Sequence, residues 1–314
     1  MSQRNVGGVA FPPDQYYMIG AGVCRAPAST MEWLEMAPVV SGSYTPEQRD
    51  SSHGNSVWPD TTADFRSVAG GLNNYEMLNM GFAAAVNNFE FMPQPAHPMV
   101  VSIAGFSIKD YLAGLKQFSG LPGVSAIELN FGCSNLLGEA PEIMSFRFNV
   151  IRKLLDNIVS YELRTKPIWL KFSPYSNPAE LQRVAELINE HAHQLSLAVV
   201  TCNPFPYANF GAEKNCINAG MSGLSGAILK PIALDQVRQF RQCLDTSVDV
   251  IGVGGVTTGD DIMDFLEAGA AIAQITSMVH MAGSRNTFLH RLLEEATASR
   301  FIAHLNIEEE RVVK

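Results

Sequence analysis

From about residue 99 onward one pattern recurs: a short apolar run, a Gly- or Asn-rich turn, then an amphipathic stretch. The apolar runs fall at 99–103, 126–130, 168–172, 197–202, 248–253 and 271–276. They are continuous rather than alternating, as parallel strands buried on both faces are. Helical periodicity follows at 108–118, 146–161, 178–193, 234–244, 258–268 and 287–299. Two earlier strands are expected at 16–20 and 38–42, with a helix near 29–36. Helix starts agree: Thr258 or Asp260 can cap the helix that Gly269 ends, and Asn177-Pro178 opens another with proline in its first turn. Eight such units predict an α/β fold, a (β/α)8 TIM barrel, formed by residues 1–314 as one domain. Segments 43–82 and 203–226 are too long to be simple connections. Both follow strands at their C-terminal ends, where barrel active sites are built.

Composition narrows the setting. Apolar residues make up 46% of the chain and no run of 18 exists, so no membrane-spanning helix is expected. The N-terminus lacks the apolar core and cleavage site of a signal peptide. Five scattered cysteines without a CxxC pair argue against a disulfide framework and against a zinc site, and no metal is expected. A reducing, cytoplasmic setting fits these features. The net charge of −9 is evenly spread without a basic cluster, which argues against nucleic acid and membrane partners.

Three places carry candidate chemistry. Gly252-Val253-Gly254-Gly255 leads from a strand to a helix start at Thr258, offering backbone N–H groups and a helix N-terminus to an anion. With Thr276-Ser277 after the eighth strand it forms the kind of phosphate site barrels build after strands seven and eight. A glycine turn that merely permits close packing is the alternative. The second place is Glu128-Leu129-Asn130-Phe131-Gly132-Cys133-Ser134-Asn135, past the fourth strand. Paired asparagines can clasp a planar amide or imide ring. Cys133 is either a general base or a small buried hydrophobe, and the motif alone leaves both open. Lys171, ending the fifth strand, is either a snorkelling residue or a buried cation facing a ligand such as a flavin. Asn203 adds a carboxamide to the same rim.

These residues resemble the dihydroorotate dehydrogenases of the soluble class 1A type, over roughly residues 16–300. The most specific match is Glu128 to Asn135, where the family has Glu-Leu-Asn-Leu-Ser-Cys-Pro-Asn. Gly22-Val23-Cys24, Asn73, Asn79-Met80-Gly81-Phe82, Ser102-Ile103-Ala104-Gly105, Leu170-Lys171, Gly223-Leu224-Ser225-Gly226 with Lys230-Pro231, and Gly254-Gly255-Val256 also match. The resemblance implies an FMN enzyme interconverting a C–C single and double bond in a dihydropyrimidine-like cyclic amide, by hydride transfer to or from flavin. It makes Cys133 the base and places Lys171 at the flavin. Asn73, Asn130, Asn135 and Asn203 become the ring-binding asparagines. Ala21, Gly22, Gly226, Gly254, Gly255, Thr276 and Ser277 become cofactor contacts. The partners it implies are a small-molecule cyclic amide, a small electron acceptor or donor such as fumarate, and a second copy in a homodimer. A non-catalytic flavin-binding or ligand-sensing relative is the alternative.

Departures give the resemblance a direction. The family's active-site lysine, in a Thr-Lys-Ser context, aligns with Gly42 in Ser41-Gly42-Ser43. Glu76 stands where the family has a glycine whose loop receives the orotate carboxylate, and Pro204 replaces a serine. Like charges about 4 Å apart repel by a few kcal/mol at an effective dielectric near 20. A ring lacking the carboxylate is therefore expected to suit the site better than orotate, unless another cation such as Arg49 or Arg66 stands in.

Overall fold

A computed structural model describes residues 3–50, 55–57, 70–74, 77–133, 142–163, 165–208 and 222–281, with 291–292, 294–295 and 298 beyond. Eight parallel strands close into a barrel in sequential order. They are β1 (Tyr17–Cys24), β2 (Val39–Tyr44), β3 (Met99–Ile103), β4 (Ala126–Asn130), β5 (Ile168–Lys171), β6 (Leu197–Val200), β7 (Asp249–Val253) and β8 (Ile272–Ile275). Helices α1 (Pro27–Leu34), α2 (Gly81–Glu90), α3 (Ile108–Phe118), α4 (Phe148–Ser160), α5 (Pro178–Ala192), α6 (Lys230–Cys243), α7 (Gly259–Glu267) and α8 (Ser277–Met281) follow the strands in turn. The architecture is the expected TIM barrel. The apolar runs form strands because every residue of β3, β4, β5, β6 and β8 is buried between the barrel interior and the helix ring.

The expected caps form. Thr258 makes a capping box with Asp261, and Asn177 accepts from the Ala179 N–H ahead of Pro178. Ser107 and Asp110 make a second box at α3. Two early strands run further than expected: β1 continues to Cys24 and β2 to Tyr44. α6 begins at Lys230, four residues before the expected 234, with Pro231 in its first turn. α2 was not anticipated. It lacks a side-chain cap, yet it buries Phe82, Ala85 and Phe89 along one face. Most of the expected helix at 287–299 lies outside the described residues; 291–292, 294–295 and 298 are helical.

Two additions frame the barrel. An N-terminal hairpin, Arg4–Val6 with Val9–Phe11, closes the end where the strands begin. Its Gly7 N–H donates to Asp249 at 2.6 Å, and Gly7 O accepts from Trp169 Nε1 at 3.0 Å. Val6, Val9 and Phe11 are buried there. At the opposite end the two long segments meet in a four-stranded antiparallel sheet. Phe205–Ala208 pairs with Ser222–Ser225, which pairs with Gly71–Asn74, which pairs with Asn55–Val57. Asn79 pins this region to α2: it accepts from the Thr45 and Gly81 N–H groups and donates to Thr45 Oγ1 and Met77 O, at 2.7–3.0 Å. All four of its hydrogen-bonding positions are used, which makes it structural. Among the described residues no helix is long and apolar enough to cross a membrane, and no group of three or more His, Cys, Asp or Glu could hold a metal ion.

Candidate active site

One cleft opens at the C-terminal ends of the strands, with about 1300 Å³ of space including its open mouth. Every sequence-predicted site residue among the described ones lines it: Ala21 and Gly22 from β1, Asn130 and Cys133 from β4 and its loop, Lys171 from β5, and Asn203 after β6. Gly254 and Gly255 follow β7, Thr276 and Ser277 follow β8, and Asn73 and Gly226 come from the overlying segments. Glu76 and Asn135 lie outside the described residues.

The floor holds the least expected part. Glu128 sits in β4 with 0% exposure, and a charge there needs partners. Its Oε1 accepts from Ser102 Oγ at 2.8 Å and its Oε2 from Gln274 Nε2 at 3.2 Å. Lys171 Nζ stands 3.9 Å away and is itself only 4% exposed. That is an ion-pair separation longer than a hydrogen bond, so the N–H groups of Lys171 stay available to the cleft. Lys171 is therefore the buried cation facing the cleft, and not a snorkelling residue.

Above the floor the asparagines touch one another. Asn203 Nδ2 donates to Asn130 Oδ1 at 2.9 Å, and Gly132 N–H donates to the same oxygen at 3.1 Å. Asn130 Nδ2 donates to Ser43 Oγ at 2.9 Å, while Tyr111 OH holds the Asn130 carbonyl at 2.9 Å. Asn73 Nδ2 donates to Gly223 O and Ser225 Oγ at 3.3 and 3.4 Å. Cys133 is half-buried on the cleft wall. A second thiol, Cys202, also lines the cleft, but burial pushes it up to about 12, with Lys171 pulling the other way. It stays protonated near neutral pH and cannot serve as a base there.

The anion site differs from expectation in its donors. The start of α7 is already occupied: Asp261 Oδ2 accepts from the Thr257 and Thr258 N–H groups at 2.6 and 2.8 Å, and Glu295 takes the Gly259 N–H at 2.9 Å. What remains for an anion is the Gly254-Gly255 turn and the Thr276-Ser277 strand end. Gly22 lies beside them, in a backbone conformation that side chains rarely adopt. At φ +99 its missing Cβ would project into the cleft, 4.0 Å from both Arg25 Nη2 and Thr276 Cγ2.

Sequence reading missed Ser43, Ser102, Gln274 and Arg25, and it gave Glu128 no role. The available signal was a polar residue inside an apolar run, which both Ser102 and Glu128 are. Gly42 also lines the cleft. Its backbone is at φ +110, and an added Cβ would lie 2.5 Å from the Ser102 carbonyl, so this position cannot carry a lysine on this backbone. Of the proposed substitute cations, Arg49 stacks over Phe106 at 5.3 Å, and Arg66 lies outside the described residues.

Residues 4–296 match the family model described as Dihydroorotate dehydrogenase. The Dihydroorotate dehydrogenase A (fumarate) of Lactococcus lactis subsp. lactis is 32% identical over 222 residues, 68% of this chain and 69% of that one. The Dihydroorotate dehydrogenase B (NAD(+)) catalytic subunit of Listeria monocytogenes is 28% identical over 251 residues, 78% of this chain and 76% of that one. A crystal structure of the Eimeria tenella enzyme in complex with ferulenol superposes with a TM-score of 0.71 at 16% identity, covering 96% of this chain and 85% of that one; it supports the fold alone. The chain belongs to the dihydroorotate dehydrogenase family and is a flavin-dependent oxidoreductase acting on CH–CH bonds.

Proposed function

We propose that this enzyme binds FMN and interconverts a C–C single and double bond in a dihydropyrimidine-like cyclic amide, with Cys133 moving the proton. The observation that carries the reading is convergence: the Gly254-Gly255 turn, buried Lys171, the asparagines Asn73, Asn130 and Asn203, and the half-buried Cys133 face a single cleft. The residues fit the cofactor. Gly254, Gly255, Thr276 and Ser277 would hold its phosphate, and Gly22 leaves space for it. Lys171 would face the polar edge of the ring system, where negative charge builds on reduction. When bound, FMN supplies the hydride acceptor or donor. The asparagines hold the substrate ring in plane, which fixes the C–H bond to be broken. Cys133 Sγ takes or returns the proton on the adjacent carbon. Cys202 is excluded from that role because burial keeps it a thiol.

The test is anaerobic reduction of the flavin by dihydropyrimidines, followed through its visible absorbance. Cys133→Ala is expected to slow that reduction by about 10²–10⁴-fold while leaving flavin stoichiometry intact. Reduction at the parent rate would reduce Cys133 to packing. A flavin that no dihydropyrimidine reduces would return the non-catalytic reading.

A further inference from the structure

The hydrogen bonds joining floor and cleft have a direction, and that direction determines what the cleft offers a ligand. Ser102 Oγ donates to Glu128 Oε1 at 2.8 Å. A serine hydroxyl has a single hydrogen, so Ser102 can only accept from Ser43, 2.7 Å away. Ser43 must then donate to Ser102 and can only accept from Asn130, so Asn130 turns its Nδ2 toward Ser43. The other end gives the same answer independently. The Gly132 N–H can only donate, which requires Oδ1 of Asn130 on that side. Asn203, 2.9 Å from that oxygen, must present its own Nδ2 to it. Its remaining oxygen is left for the cleft, which Asn203 lines. Gly132 makes the close approach possible, since a Cβ there would overlap Asn203 Nδ2.

We propose that Ser102 and Ser43 are positioning residues, which link buried Glu128 to Asn130 and, together with the Gly132 N–H, hold Asn130 and Asn203 so that Asn203 offers a carbonyl oxygen and the site selects a ring N–H. This rests on the cyclic-amide reading and adds how the selection is made. Ser102 is fully buried and does not line the cleft among the described residues, so it acts through its partners Ser43 and Glu128. A chain with both ends fixed also strengthens each of its bonds by polarisation.

The experiment uses the flavin-loaded protein, with uracil and its two N-methyl derivatives as probes. Uracil is expected to bind, and at least one N-methyl derivative to bind more weakly. Ser102→Ala is expected to weaken uracil on the order of tenfold. The disfavoured N-methyl derivative should change little, so the selectivity collapses. Ser102→Thr, which keeps the hydroxyl, should restore it. Equal weakening of all probes, or no change in any, overturns the proposal. A second readout needs no ligand: the Asn130 and Asn203 side-chain amide protons should exchange slowly, and Ser102→Ala should speed exchange at Asn130. Unprotected amides in the parent overturn the chain itself. Protected amides with no pyrimidine binding overturn only the substrate class.

Discussion

At the scale of single residues the site turns on Gly42. Sequence alignment makes it the place where the family's lysine is absent, which invites putting the lysine back. The backbone forbids that. A residue at φ +110 costs on the order of 1–3 kcal/mol for any side chain, and this one would also meet the Ser102 carbonyl at 2.5 Å. Gly42→Lys is therefore expected to lower the denaturant midpoint without gaining affinity for orotate. An unchanged midpoint together with tighter orotate binding would show that the strand relaxes around the new side chain. The contrast with Lys171 is instructive. Its chemistry was readable because a cation ending an apolar strand needs a reason to be there. Ser102 and Glu128 carried the same signal inside their strands, but their partners come from β3, β4 and β8, and no local pattern states which strands a closed barrel brings together.

At the scale of elements, legibility followed how local the cause was. The strands of the barrel were readable because burial on both faces leaves a continuous apolar run. Caps were readable because the capping residue lies within three positions of the group it satisfies. The sheet over the cleft was not. Gly71–Asn74 and Ser222–Ser225 have little intrinsic strand preference, and they become strands only because Asn73 and Gly223, 150 positions apart, pair across the barrel mouth. The same segments were nonetheless marked as functional by length alone. The β7–α7 turn tests the anion site at this scale. Gly254 is at φ +123, so any side chain there is strained, and Gly254→Ala serves as the control for Gly254→Asp. Both variants share the strain; only the aspartate adds negative charge beside the proposed phosphate. Flavin content after purification is expected to fall well below that of the alanine variant. Equal flavin in the two would place the phosphate elsewhere.

At the scale of the whole molecule, the balance of charge in the cleft decides which ring the enzyme accepts. Lys171 and Glu128 offset one another at the floor. The other cation among the described lining residues is Arg25, which follows β1. Its Nε donates to the Gly22 carbonyl at 2.9 Å, and its Nη2 stands with Thr276 around the space that Gly22 leaves open. Both neighbours belong to the proposed phosphate end, so Arg25 is expected to serve the cofactor rather than to replace the lysine absent at Gly42. A ligand carboxylate would then lack its family partner, and a carboxylate removed from water without a partner keeps its desolvation cost. Orotate is expected to bind on the order of tenfold or more weakly than uracil, since about 1.4 kcal/mol of unpaired charge already gives that factor. Arg25→Gln should lower flavin retention while leaving the uracil-to-orotate ratio unchanged. Titrating both ligands against the flavin absorbance of parent and variant checks each half separately. Micromolar orotate binding that Arg25→Gln abolishes would reverse the assignment: Arg25 would be the carboxylate's partner, reaching the site from β1 where the family's lysine reaches it from β2, and dihydroorotate would become the substrate.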